Sequence, residues 1–126
     1  MLPLACRTEG YYHDARNAIA ELVKVGDFEG AREATQKLDD PFWRATILAE
    51  ELAKVTHDSR DLQAAHEAAR ATGVSWWRSA ALLVVVDAFV TVRDFASARA
   101  IVAGEEFYDS FWRAAARKRI AQAQRR

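Results

Sequence analysis

The sequence predicts an all-α fold, arranged as a right-handed α-solenoid of antiparallel helix pairs with about seven helices. Three observations lead to this prediction. Two short sequence patterns recur with a period near 34 residues, good helix formers such as Ala, Leu, Arg and Glu are abundant, and the 126 residues include only two prolines. Since one helix pair with its turns needs about 34 residues, the period matches one pair per repeat.

The first repeated pattern is an aromatic residue followed by Trp and Arg. It occurs three times, with the tryptophans 34 and 35 residues apart. Repeated residues in a solenoid usually form the interfaces between its repeats, which favours a structural role. The alternative is a ladder of three aromatic-cationic units that clamps a ligand, because Arg over Trp can also bind nucleobases by stacking. The residues concerned are Trp43, Arg44, Trp77, Arg78, Trp112 and Arg113.

The second pattern is Asp, a large apolar residue, two further residues and Ala. It occurs at 27–31, 61–65 and 94–98, with spacings of 34 and 33 residues. Because both patterns keep the same period and a fixed phase, chance does not explain them. Together they divide the chain into long and short helices. The predicted long helices are 11–25, 41–56, 75–92 and 109–124, and the predicted short ones are 28–38, 60–72 and 95–104.

Capping residues support these boundaries. Asp40 before Pro41 is a typical helix start, since Asp caps the first N–H groups and Pro suits the first helical position. The other predicted N-caps are Asp27, Asp58 or Ser59, Ser75, Asp94 and Ser110, and the predicted stops are Gly26, Gly73 and Gly104.

The third long helix is apolar on nearly all sides between residues 80 and 90, apart from Asp87. Such a helix must be covered on most of its faces. Val84 and Val85 stand where the previous repeat has Glu50 and Glu51. We expect the last helix to cover these valines, the alternatives being a partner protein or a second copy of the chain.

The segment 24–31, Lys-Val-Gly-Asp-Phe-Glu-Gly-Ala, and the following Asp40–Pro41 resemble the tetratricopeptide repeat. That family's 34-residue unit has Gly-Asp-Tyr/Phe-x-x-Ala at the start of its second helix and ends on Asp-Pro. Segment 92–98 is similar to the same part of the unit. The tryptophans depart from the family, since they lie about five residues before its Trp position.

The resemblance implies a helical-repeat domain over residues 11–126, with three helix pairs and a capping helix, after a flexible N-terminus at 1–10. It also implies a concave groove that binds a peptide or a helix of a partner protein. For Asp87 the sequence leaves a second interpretation open, an ion pair with an arginine of an adjacent helix. The implied partner-binding residues are His13, Arg16, Ala80, Leu83, Asp87 and Val90.

Composition limits the other classes of function. Basic and acidic side chains number 18 each, so the net charge gives no general attraction to nucleic acids or anionic membranes. The stretch 113–126 holds six basic residues and no acidic one, and we interpret it as a solvated capping helix. Cys6 has no second cysteine to pair with, which favours a cytoplasmic location. The run 79–92 is too short to span a membrane.

Catalytic signals are weak. The three histidines form no His-x-x-x-His pair, and we find neither a Gly-rich phosphate loop nor a nucleophile elbow. We therefore predict no enzyme activity, no metal site and no cofactor. The predicted function is that of an adaptor or scaffold, whose partner is a protein or peptide. The alternatives are a self-associating structural module, including a piece of a longer solenoid, and an RNA-binding helical repeat.

Overall fold

The computed structural model describes residues 9–73, 75–105 and 107–126, and this part of the chain is all-helical with seven helices and no strand. The prediction of an all-α fold is confirmed, and each predicted helix is present to within about three residues. The helices are α1 (Glu9–Lys24), α2 (Phe28–Gln36), α3 (Pro41–Ile47 as α-helix, Leu48–Ala53 as π-helix and Lys54–Thr56 as α-helix), α4 (Ser59–Ala71), α5 (Ser75–Thr91), α6 (Phe95–Gly104) and α7 (Ser110–Gln124). The prediction of a flexible segment at 1–10 falls mostly outside the described residues.

An aspartate begins five of these helices by accepting hydrogen bonds from backbone N–H groups of the first turn. Four of the five were predicted, but the predicted cap Ser110 is wrong. Asp109 caps α7 instead and accepts from Phe111 N at 3.0 Å and Trp112 N at 3.4 Å. Asp109 has the extended backbone that an N-cap needs, whereas Ser110 is already the first helical residue. The side chain of Ser75 lies outside the described part.

The three turns from a long helix to a short one share two features. Each has a residue with a left-handed backbone, directly followed by the aspartate that caps the next helix. In the first turn, Gly26 N bonds to Val23 O and Asp27 N bonds to Leu22 O, as in a Schellman motif. The left-handed residues are Gly26 (φ 84°), His57 (φ 55°) and Arg93 (φ 64°).

Helix α3 differs from the other long helices because its middle is π-helical. A π segment accommodates one extra residue and shifts the helix faces that follow. Leu52 and Ala53 within it are fully buried, and Lys54 directly after it is half-buried. The segment therefore changes which side chain of α3 meets α5.

Each helix packs chiefly against the next helix and the next but one along the chain. Ala31, Ala65 and Ala98 of the second repeated pattern each have 0 % of their surface exposed, which explains why only a small residue recurs there.

The apolar helix α5 packs against α3, α4, α6 and α7, as its composition predicted. Val85 is fully buried within the chain and Val84 is half-buried. Among the described residues, no helix is both long and apolar enough to cross a bilayer.

Candidate functional site

A cleft of about 800 Å³ lies between α5 and α7 and is completed by Lys54 from α3. We call it the charged groove. Its apolar lining includes Val90 of α5 and Phe111 of α7, the latter 69 % exposed. Its charged lining consists, among the described residues, of Lys54, Asp87, Lys118, Arg119 and Arg126.

The electrostatic balance of the charged groove is positive, since four of its charged side chains are basic and only Asp87 is acidic. Asp87 is already paired with the guanidinium of Arg119 across the two helices. Lys118 and Arg126 are exposed at the surface. A groove of this kind attracts a negatively charged ligand while offering it apolar contact.

Asp87 is half-buried in the wall of the charged groove. Burial raises the pKa of its carboxyl above the ordinary value of 3.8, and the positive charges of Arg119 and Lys54 oppose that rise. The ion pair with an arginine of an adjacent helix, which was one of two interpretations of Asp87, is therefore present. The same side chain also faces the groove, so the two interpretations are compatible.

The predicted partner-binding residues do not all meet in one place. Asp87 and Val90 line the charged groove, whereas Ala80 and Leu83 lie half-buried on the same helix without lining it. The remaining two belong to α1, which packs against α3 and not beside the groove. There, Arg16 pairs with Glu51 at 3.2 Å and Glu50 at 3.5 Å, and His13 is exposed.

Sequence reasoning missed most of the basic side chains of the groove. With a period of 34 residues, the counterpart of Asp87 in the preceding repeat is Ala53, which is fully buried. Because of the π segment in α3, the neighbouring Lys54 lines the groove instead. Lys118 and Arg119 belong to the basic stretch at 113–126. The absence of acidic residues from this stretch was the sequence feature that could have indicated a positively charged site.

Two arginines of the aromatic-Trp-Arg pattern bind backbone carbonyls at or just after the ends of short helices. Arg44 Nη1 donates to Leu38 O at 2.8 Å. Arg113 Nη1 donates to Val102 O at 2.7 Å and its Nη2 to Glu105 O at 3.1 Å. A cation that binds the last carbonyls of a helix satisfies acceptors that have no partner within that helix. Arg78 is half-buried.

The six aromatic residues of the same pattern and two tyrosines of α1 form a continuous row of eight rings, which we call the aromatic edge. It connects the beginnings of α1, α3, α5 and α7, and neighbouring ring centroids are 4.8–5.8 Å apart. Such contacts stabilise the packing of successive long helices. The sequence analysis did not predict that α1 takes part in this row, because α1 has tyrosines at the place where the other long helices have Trp. In order, the rings are Tyr11, Tyr12, Trp43, Phe42, Trp77, Trp76, Trp112 and Phe111.

The aromatic edge is not wholly buried. Tyr12 is only 3 % exposed and stacks flat on Trp43 at 5.2 Å. By contrast, Trp76 and Trp77 are 44 % and 48 % exposed. The structural interpretation therefore accounts for the packing of Tyr12 on Trp43, while Trp76 and Trp77 keep ring surface available to a ligand.

In comparisons with known protein families, curated proteins and solved structures, the chain gives no significant match. Within the described ranges, no group of three His, Cys, Asp or Glu side chains is placed to hold a metal ion. Function is therefore inferred from the charge and shape of the charged groove and the aromatic edge.

Proposed function

We propose that this protein is a binding module, a tetratricopeptide-like α-solenoid that holds an acidic segment of a partner protein in the charged groove. The observation that carries the proposal is the excess of positive charge in an open cleft of about 800 Å³ with apolar walls. In this proposal the protein has no catalytic role and acts as an adaptor or scaffold.

The solenoid part of the proposal is supported by the repetition of local geometry along the chain. The three long-to-short turns share a left-handed residue and an aspartate cap. Each helix packs chiefly on its next and next-but-one neighbours, as stacked helix pairs do. A stack of this kind places its long helices side by side and so creates an extended surface for a partner.

The chemistry of the groove selects the ligand. An acidic segment gains ion pairs with Lys118 and Arg126, which are exposed and face the open cleft. Its apolar side chains pack on Val90 and Phe111. Asp87 holds Arg119 in the groove wall and repels an acid placed too deep, so it fixes the register of the bound segment.

Affinity capture with a matched pair of variants tests the proposal. Lys118→Glu reverses a charge in the charged groove, whereas Arg117→Glu reverses a neighbouring charge that faces a different cleft of α7. We expect wild type and Arg117→Glu to retain the same acidic partner from a nuclease-treated lysate, and Lys118→Glu to lose it. Equal capture by all three proteins refutes the groove as the site, and capture that is lost on nuclease treatment indicates RNA instead.

A further inference from the structure

A second cleft, of about 340 Å³, lies beside the aromatic edge where α3 and α5 begin. We call it the Trp77 cleft. Phe42, Trp43 and Trp77 form its aromatic walls, and Thr72 and Gly73 close it from the end of α4. The ring of Phe42 is 4.9 Å from that of Trp77 at 75° and 5.4 Å from that of Trp43 at 84°. Three aromatic rings, with Phe42 steeply inclined to both tryptophans, thus line the cleft.

Among the described residues that line the Trp77 cleft, Asp40 is the only charged one. Its Oδ1 accepts from Phe42 N at 2.9 Å, and this N-cap bond fixes the carboxylate beside the rings. Arg44 follows Trp43 in the chain but donates to Leu38 O, and it is not part of the lining. The cleft is therefore both aromatic and negative.

Ring faces and a carboxylate both attract cations. A phosphate or a nucleotide carries the same sign of charge as Asp40 and is repelled here, so the geometry disfavours the RNA interpretation of this part of the edge. A primary ammonium needs several hydrogen-bond acceptors, whereas Asp40 already uses one oxygen as a helix cap. A quaternary ammonium needs none, and its methyl groups pack against ring faces.

We propose that the Trp77 cleft binds the trimethylated lysine side chain of a partner protein. A protein chain is the fitting source, because the exposed rings of Trp76 and Phe111 continue beyond the cleft and offer contact area to residues flanking the lysine. The charged groove is lined by none of the residues of this cleft. Of the rings that this proposal uses, Phe111 alone also lines the charged groove, so variants of Trp77 and Asp40 test the proposal separately from the proposed function.

Three short host peptides that differ at one position test the site, with trimethyllysine, lysine or the neutral norleucine in an Ala/Gly background. Binding is followed by NMR, where the indole N–H signals of Trp77 and Trp43 report on the cleft and the backbone N–H signals of α6, which contributes no residue to the cleft, serve as the internal reference. We expect trimethyllysine to bind about five-fold more tightly than lysine, with norleucine weaker still. Equal binding of norleucine and trimethyllysine, or of lysine and trimethyllysine, overturns the proposal, and so does free choline binding as tightly as the trimethyllysine peptide.

Variants localise the effect. Trp77→Leu removes a wall of the cleft, whereas Tyr11→Leu changes a similarly exposed ring at the far end of the aromatic edge that does not line it. Asp40→Asn keeps a good N-cap for α3 and removes the charge. We expect Trp77→Leu and Asp40→Asn to weaken the trimethyllysine peptide several-fold while Tyr11→Leu does not. Helix content by circular dichroism is measured for each variant, and unchanged binding by folded Trp77→Leu and Asp40→Asn contradicts the assignment.

Discussion

Arg32 of α2 and Asp61 of α4 form a two-point ion pair that joins successive short helices. Arg32 Nε lies 2.8 Å from Asp61 Oδ1, and its Nη2 lies 2.9 Å from Oδ2. Thr56 Oγ1 donates to the same carboxylate at 2.7 Å, and Asp61 is only 2 % exposed. The hydrogen bond to Asp61 raises the pKa of the Arg32 guanidinium, because it favours the charged form of the arginine.

This pair makes Asp61 unlike the other aspartates of its repeated pattern, and the difference is measurable. We expect Asp61→Ala to lower the free energy of unfolding by about 3 kcal/mol, because it leaves Arg32 without its main partner in a largely buried place. Asp27→Ala removes only an exposed helix cap and is expected to lower it by about 1 kcal/mol. Urea unfolding of both variants checks the ranking. Equal losses contradict the special role of Asp61.

The arginines of the aromatic-Trp-Arg pattern can be assigned to structure or to ligand binding by their effect on stability. Arg113 binds two carbonyls at the end of α6, which an ammonium group cannot reach with the same fork. We expect Arg113→Lys to lower the free energy of unfolding by roughly 1–2 kcal/mol, as measured by urea titration. Arg117→Lys, on the exposed surface of the same helix, is the control and should be neutral. A neutral Arg113→Lys variant leaves only the ligand interpretation for this residue.

The long-to-short turns predict opposite effects for opposite substitutions. An added Cβ at Gly26 meets no atom within 4 Å, so Gly26→Ala is penalised only by its left-handed backbone. We expect a loss of about 1 kcal/mol in the free energy of unfolding. His57→Gly relieves the same conformation in the next repeat and is expected to gain a few tenths of a kcal/mol or more. Thermal unfolding of both variants checks this, and two shifts of the same sign refute the shared geometry.

Asp87 gives a pH dependence opposite to that of an ordinary paired carboxyl. Since burial raises its pKa in the folded state, the folded protein binds the proton more readily than the unfolded chain does. The contribution of Asp87 to the free energy of unfolding therefore decreases as the pH rises from its ordinary pKa of 3.8 through its raised pKa in the folded state. Asp58, whose pKa is lowered by its hydrogen bond to Arg60, acts in the opposite direction.

The Asp87→Asn variant isolates this effect. We expect its stability relative to wild type to be greater at about pH 6 than at about pH 3, where both carry a neutral side chain at this position. Unfolding midpoints in urea at the two pH values provide the measurement. A relative stability that does not change with pH shows that Asp87 titrates as an exposed carboxyl.

The helices and most of their starts were predictable because they depend on local chemistry. Residues such as Asp27, Asp40 and Asp94 cap the helix in which they stand, and apolar periodicity needs no tertiary information. The role of Asp61 was not predictable, since its partner Arg32 lies 29 residues away and its pattern matched that of the capping aspartates.

The site was predictable only in part, for a related reason. With a strict 34-residue period, the position equivalent to Asp87 in the preceding repeat is Ala53. The π segment in α3 places the next residue, Lys54, in the groove. No local sequence pattern predicts this π segment, because the π conformation depends on how α3 packs against its neighbours. Likewise, α1 contributes the ring of Tyr12 to the aromatic edge although it lacks the Trp of the other repeats.

The central claim is that the charged groove binds an acidic segment, and a charge-reversal titration tests it most directly. The probe is a fluorescent peptide of alternating Glu and Leu, measured by polarisation against wild type, Lys118→Glu and Arg117→Glu at two salt concentrations. We predict that Lys118→Glu weakens binding about ten-fold and reduces its salt dependence, whereas Arg117→Glu remains within about two-fold of wild type. Equal effects of the two reversals, or unchanged binding by both, contradict the claim.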